Sequence, residues 1–272
     1  MQHSREMDLM IRLVHEAGEI LREGYGTAMH VEHKGPVDLV TEFDRRSEAW
    51  ILEAIRRAYP DDALLSEESG SNGLQAERTW IVDPLDGTTN FTHGIPIFSV
   101  TMALMDSAGL RLGIIYDPLR DETYWAERGA GAYLDERRLR VSQVGELGRS
   151  LLVTGFPYDM ATTRFNNLDH YGRFAMRCQG VRRLGSAALD LAYLAAGRFE
   201  GYWDLQLSPW DVAAGALLIE EAGGRVTNVH GGADILREDL TLLATNGRVH
   251  AAMLEVLAQG AIPPAPSVPP HG

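Results

Sequence analysis

The residues best suited to chemistry lie in Trp80-Ile-Val-Asp-Pro-Leu-Asp-Gly-Thr-Thr-Asn90. The apolar run 80–82 reads as a strand that ends at Asp83, where Pro84 removes a backbone donor and fixes a turn. Asp86 follows three residues later, directly before Gly87. Two carboxylates on one strand-end turn can converge on a point, and hard oxygen donors of this kind suit Mg²⁺. Gly87 lets backbone approach a ligand, and N–H groups at the start of the following turn suit a phosphate. The same residues also make an ordinary turn, with Asp83 and Asp86 as caps and Thr88 and Asn90 bonded locally. Spacing alone leaves both readings open.

Two further segments could complete a cation site. Glu67-Glu68 follows the short β-like run 63–65. In extended chain, neighbours face opposite sides, so Glu67 is expected to be the ligand, with Glu68 behind it. In Ser208-Pro-Trp-Asp-Val-Ala-Ala-Gly215, Ser208 reads as an N-cap, Pro209 as the first helical residue and Asp211 as the capping-box position. If Ser208 supplies the cap alone, Asp211 is free for a cation at the same helix mouth. Ala213, Ala214 and Gly215 would let that helix pack closely. Lys34 is the only Lys among 25 basic residues. A position that keeps Lys in so Arg-rich a chain can need a compact ammonium in place of a planar fork.

The elements that must position these groups follow from periodicity. Met10, Leu13, Val14, Ala17 and Leu21 share one helical face, and Gly24 ends the helix. A second amphipathic helix is expected over 44–58, with Ile51, Leu52 and Ile55 buried and Pro60 beyond its end. The runs 63–65, 80–82, 98–104, 110–116 and 123–126 read as strands of a largely antiparallel sheet against these two helices. From about residue 150 the texture becomes α/β. Strands are expected over 151–153, 199–203, 225–226 and 242–244, with helices over 187–196, 210–221 and 249–258. The expected division is an N-terminal α+β subdomain (1–147) carrying most metal ligands, a C-terminal α/β subdomain (148–262) carrying Asp211, and a disordered Pro-rich tail (263–272).

Composition narrows the function. The 272 residues are 45% hydrophobic, enough for a sizeable core. The formal net charge is −13 and no run of Lys/Arg exceeds two, so nucleic acid and anionic membranes are not expected partners. One cysteine, Cys178, excludes an intrachain disulfide framework and a multi-cysteine metal site. The first twenty residues lack an uninterrupted apolar stretch and are not expected to be a signal peptide, and no run approaches a membrane span. A cytoplasmic location is the expectation.

Several blocks in register resemble the inositol monophosphatase family. They are Asp83-Pro-Leu-Asp-Gly-Thr-Thr-Asn-Phe91, Trp210-Asp-Val-Ala-Ala-Gly215 and Glu220-Glu-Ala-Gly-Gly224. Gly35-Pro-Val-Asp-Leu-Val-Thr41 with Asp44, Glu67-Glu-Ser69 and Gly185-Ser-Ala-Ala188 support them. The resemblance runs from about residue 7 to 258. It implies a layered αβαβα sandwich of the inositol monophosphatase/fructose-1,6-bisphosphatase type, usually a homodimer, that hydrolyses phosphate monoesters with Mg²⁺ and is inhibited by Li⁺. Carried over by position, Glu67, Asp83 and the Leu85 carbonyl would hold one Mg²⁺. Asp83, Asp86 and Asp211 would hold a second, and a looser third would lean on Glu67. Metals roughly 3.5–4 Å apart clamp the attacking and leaving oxygens of an in-line displacement.

The resemblance makes water the nucleophile and pairs Thr88 with Asp44 as the group that deprotonates it, with Glu68 as the competing base. It assigns substrate contacts to Asp86, Gly87, Thr88, Ala187, Asp204 and Arg182, and places Lys34 in a loop that folds over the metals. Inositol monophosphate is the first substrate expectation. Inositol-specific members commonly place Glu where the C-terminal half of this chain offers a shorter acid or none, which leaves histidinol phosphate, fructose 1,6-bisphosphate and 3′-phosphoadenosine nucleotides as alternatives. A catalytically idle, metal-stabilised regulatory protein is the reading from a different class.

Overall fold

The computed structural model describes residues 3–33, 39–236 and 240–263. Lys34, Asp38 and the tail from 264 onward, all named by the sequence reading, lie outside the described residues. Ser4 accepts the Met7 N–H and caps α1 (Arg5–Gly24), whose expected apolar face is buried. A short hairpin, β1 (Val31–His33) and β2 (Leu39–Thr41), leads into α2 (Glu42–Ala58). Thr41 caps α2 through the Phe43 and Asp44 N–H groups, and Asp44 returns a bond to the Thr41 N–H at 2.8 Å. Helix α2 therefore begins two residues earlier than periodicity indicated, because the capping box lies ahead of its apolar stripe.

The chain continues through β3 (Ala63–Ser66), β4 (Gly70–Ser71), β5 (Thr79–Asp86), the short α3 (Thr88–Thr92), β6 (Ser99–Asp106), β7 (Gly109–Asp117), β8 (Glu122–Glu127), β9 (Gly131–Leu134) and β10 (Arg137–Arg138). Among the described residues β3 to β10 form one eight-stranded sheet in the order β10-β9-β8-β7-β6-β5-β3-β4. It is antiparallel except where β3 runs parallel to β5. Strand β5 does not end at Asp83 as expected. It runs on to Asp86, and a register slip against β6 between Asp83 and Asp86 accommodates Pro84, which cannot donate to a ladder.

The second half is β11 (Leu151–Thr154), α4 (Leu168–Ala175), β12 (Gly180–Arg182), α5 (Ala187–Ala195), β13 (Gly201–Leu207), α6 (Pro209–Glu221), β14 (Arg225–Thr227), β15 (Leu240–Thr245) and α7 (His250–Leu257). Its strands form a five-stranded mixed sheet in the order β12-β11-β13-β15-β14. The strand expected over 199–203 begins at Gly201 and runs on to Leu207, while the Glu200 carboxylate ahead of it accepts the Leu151 N–H. The expected layering is observed. α1 and α2 cover the outer face of the large sheet, α5 and α6 lie between the two sheets, and α4 and α7 cover the far side.

The middle helices make one core with the large sheet. Val212, Ala213, Ala216 and Leu217 of α6 pack with Ile81, Ala103, Ile115 and Ala126. Close approach is built in at Gly113 of β7, where an added Cβ would stand 2.9 Å from Ala214 Cα and O. Helix backbone cannot yield as a side chain does. Gly113→Ala is expected to cost about 1–3 kcal/mol by overpacking, read as a lower urea midpoint at unchanged slope. A wild-type midpoint would contradict the packing described. Among the described residues no helix is long and apolar enough to cross a membrane.

Candidate active site

Three carboxylates from two distant segments meet where β5 ends against α6. One oxygen each of Asp83, Asp86 and Asp211 lies within 4.8 Å of the others. The slip in β5 brings Asp83 and Asp86 to one point, and the first turn of α6 supplies Asp211. Asp83 and Asp86 are 2% and 8% exposed, so water screens them little. Among the described residues no Arg or His forms an ion pair with any of the three.

The electrostatics follow from that crowding. Burial first, and then the charges of Glu67, Asp86 and Asp211, push the Asp83 carboxyl well above the usual range. Asp211 is also raised well above it, by burial most of all, against a 2.6 Å bond from the Ser208 N–H. That bond corrects the expectation that Asp211 is left free by the cap: Oδ2 caps α6. Asp86 is raised by burial but is better compensated. It accepts the Ser186 hydroxyl and the Ala188 and Ala187 N–H groups at 2.9 and 3.2 Å, all from the N-terminus of α5. Glu67, after β3, follows the parallel β3–β5 pairing and bonds the Val82 carbonyl through its N–H at 3.2 Å. Its carboxyl is hydrogen-bonded with that of Asp83.

Thr88 is the hydroxyl beside this cluster. Its Oγ1 lies 3.0 Å from Asp44 Oδ1 and 3.1 Å from the Leu85 carbonyl. Asp44 is fully buried, and burial raises its carboxyl, while bonds from Thr41 and Thr88 oppose the rise. Between them Gly87 adopts φ +94°, with an added Cβ only 3.0 Å from the Ile97 carbonyl, so a side chain there would be both strained and crowded.

These groups open into a cleft of 540 Å³. Of the residues singled out in the sequence, Glu67, Asp86, Gly87, Thr88, Ala187, Asp204 and Asp211 line it. The Asp204 carboxyl is pushed up to about 6 by burial, although the Leu205 and Gln206 N–H groups and the Tyr202 hydroxyl bond it. Arg182 is not part of this wall. It ends β12 as an exposed side chain bonded to its neighbour's carbonyl, and the next residue, Arg183, lines the cleft over the Phe156 ring. Strand alternation puts adjacent side chains on opposite sides, which is why a one-residue carry-over error inverts the assignment. Glu68 faces a second cavity with Glu32, His33 and Arg45, and Glu67 lines both.

Sequence reasoning missed Asp190 and Trp210, which also line the cleft. Asp190 falls four residues after Ser186 on α5, so helical spacing from a residue already singled out would have found it, whereas Trp210, adjacent to Asp211, carries no such signal.

A five-layer sandwich that gathers three carboxylates, none of them ion-paired with another described residue, under an open cleft has the architecture of a metal-dependent hydrolase. The sequence profile described as the inositol monophosphatase family matches residues 4–264. An inositol-1-monophosphatase of Mesorhizobium japonicum is 42% identical over 260 residues, covering 94% of this chain and 97% of its own. The protein named Nus factor SuhB of Escherichia coli (strain K12) is 40% identical over 251 residues, covering 91% and 94%. The crystal structure of the extragenic suppressor protein suhB from Bartonella henselae superposes with a TM-score of 0.88 at 40% identity, covering 95% of this chain and all of that one. The chain belongs to the inositol monophosphatase family, whose members are phosphoric monoester hydrolases.

Proposed function

We propose that this chain hydrolyses a small phosphate monoester, inositol monophosphate before others, with Mg²⁺ held by Asp83, Asp86, Asp211, Glu67 and the Leu85 carbonyl. The observation that carries the reading is the carboxylate cluster itself. Clustered like charges, with no cationic side chain paired to them among the described residues, are costly unless a cation joins them, and an all-oxygen donor set suits a hard divalent ion. When bound there, such ions supply positive charge against phosphoryl oxygens and hydroxide near neutral pH. Two ions, with a looser third near Glu67, fit the number of donors.

The chain's own groups do the rest. Thr88 donates its proton to Asp44 Oδ1, which leaves its oxygen lone pairs to accept from the attacking water. Asp44 Oδ2 is committed to the Thr41 N–H and hydroxyl, so only Oδ1 serves Thr88. Glu68, turned toward the second cavity, is the weaker candidate for the base. Gly87 and Thr88 flank the space for the phosphate, while Ala187, Asp204 and, in place of Arg182, Arg183 face the alcohol half. Family membership further supports inhibition by Li⁺, a homodimeric assembly and a cytoplasmic location.

A second reading, a regulatory protein, draws on the relatives named Nus factor SuhB. The aligned Thr88–Asp44 pair favours the enzyme. Phosphate release from inositol 1-phosphate, histidinol phosphate, fructose 1,6-bisphosphate and adenosine 3′,5′-bisphosphate, with Mg²⁺ and with chelator, tests both. Release is expected only with Mg²⁺, accompanied by a higher melting temperature from binding linkage. A melting temperature indifferent to chelator, with no substrate cleaved, would contradict the proposal.

A further inference from the structure

Glu67 stands apart from the other carboxylates in how it is held. Asp83 and Asp86 belong to a central strand and Asp211 to a capped helix, whereas Glu67 lies just beyond β3 in the turn leading to β4. A ligand on a turn has to be fixed by something else. The Glu48 carboxylate meets this turn from α2. Its Oε1 accepts the Ser66 hydroxyl and the N–H groups of Glu68 and Ser69, the last two at 3.1 and 3.0 Å, and its Oε2 accepts the Ser69 hydroxyl. Glu67 is thus gripped on both sides by bonds to one buried side chain, 5% exposed, and the two residues line the same cavity.

Glu48 continues a series along α2. Asp44 takes the Thr88 hydroxyl, Ser47 donates to the Pro84 carbonyl at 2.9 Å, and Glu48, one turn after Asp44, holds the Glu67 turn. One face of a single helix therefore sets three points of the site relative to one another.

We infer that Glu48 is a positioning residue that acts through Glu67, holding its carboxylate where it completes the metal site. The inference rests on Glu67 being a metal ligand, as proposed above. Residues that orient a ligand typically change metal affinity 10–100-fold when lost. What matters here is reach and not charge. Glu48→Gln keeps the acceptor for both N–H groups, and its amide can donate to the Ser69 hydroxyl. Glu48→Asp keeps the charge but withdraws both oxygens by one carbon.

The test is calorimetric titration of the full-length chain with Mg²⁺ alone, after unfolding curves in chelator show each variant to be folded. Glu48→Gln is expected to bind Mg²⁺ like the wild type. Glu48→Asp is expected to bind about 10–100-fold more weakly, matching Glu67→Ala. The double variant Glu48→Asp/Glu67→Ala should bind no more weakly than Glu67→Ala, because the effect passes through Glu67. Wild-type affinity in Glu48→Asp, or a loss in Glu48→Gln alone, overturns the inference while Glu67→Ala stays weak. Additive losses in the double variant overturn it too. Wild-type affinity in Glu67→Ala instead overturns the ligand assignment beneath it.

Discussion

Asp83→Asn is expected to lower turnover by about 10³-fold or more. Asp83 is the most deeply buried of the three clustered carboxylates and is bonded with Glu67 on one side and set beside Asp86 and Asp211 on the other. Losing several kcal/mol of charge stabilisation at about 1.36 kcal/mol per tenfold gives that size of loss. Stability should move the other way. Burial first, and the neighbouring carboxylates after it, raise the Asp83 and Asp211 carboxyls well above the ordinary 3.8, so the metal-free folded chain binds protons more tightly than the unfolded one. That contribution is fully present below about pH 4 and is lost as pH rises from there through the raised native range. In chelator at pH 7–8, Asp83→Asn is therefore expected to melt above the wild type, and added Mg²⁺ should raise it less. Thermal midpoints with chelator and with Mg²⁺, across pH 5–8, check both. Full turnover, or wild-type stabilisation by Mg²⁺, would contradict the role given to Asp83.

Thr88→Ala is expected to reduce turnover by about 10²–10⁴-fold, the usual worth of a positioned proton acceptor. Mg²⁺ affinity should stay near wild type, because the hydroxyl is bonded to Asp44 and to the Leu85 carbonyl and adds no carboxylate to the cluster. Thr88→Ser, which keeps the hydroxyl, should retain most activity. The informative pair is the single-turnover rate at saturating Mg²⁺ and the calorimetric affinity for the ion. An Ala variant with normal turnover would remove Thr88 from the reaction. A variant that also loses the metal would make Thr88 a structural support.

The main elements and most of the cleft were legible because their signals are local and strong. The α1 stripe, the long apolar strands and the Pro209 start of α6 each follow one period or one capping rule. The carboxylates were legible by type, but only the folded chain brings Asp211 to Asp83, across 127 intervening positions that no local rule spans. What stayed hidden was short or coupled. β4 and β10 have two residues each, too few for alternation to register, and α4 buries only His170 and Phe174. The extension of β5 past Pro84 was missed because a proline ordinarily ends a strand, and the slip against β6 that tolerates it belongs to the pairing and not to the segment. Arg183 was passed over for Arg182 because facing cannot be read from a dipeptide.

Crystals soaked in Mn²⁺ and measured near the manganese absorption edge test the central claim most directly. The account predicts anomalous peaks bounded by carboxylate oxygens of Asp83, Asp86 and Asp211, lost in crystals of Asp83→Asn. A map with no peak among those three side chains, from crystals of a chain that still releases phosphate, would contradict it.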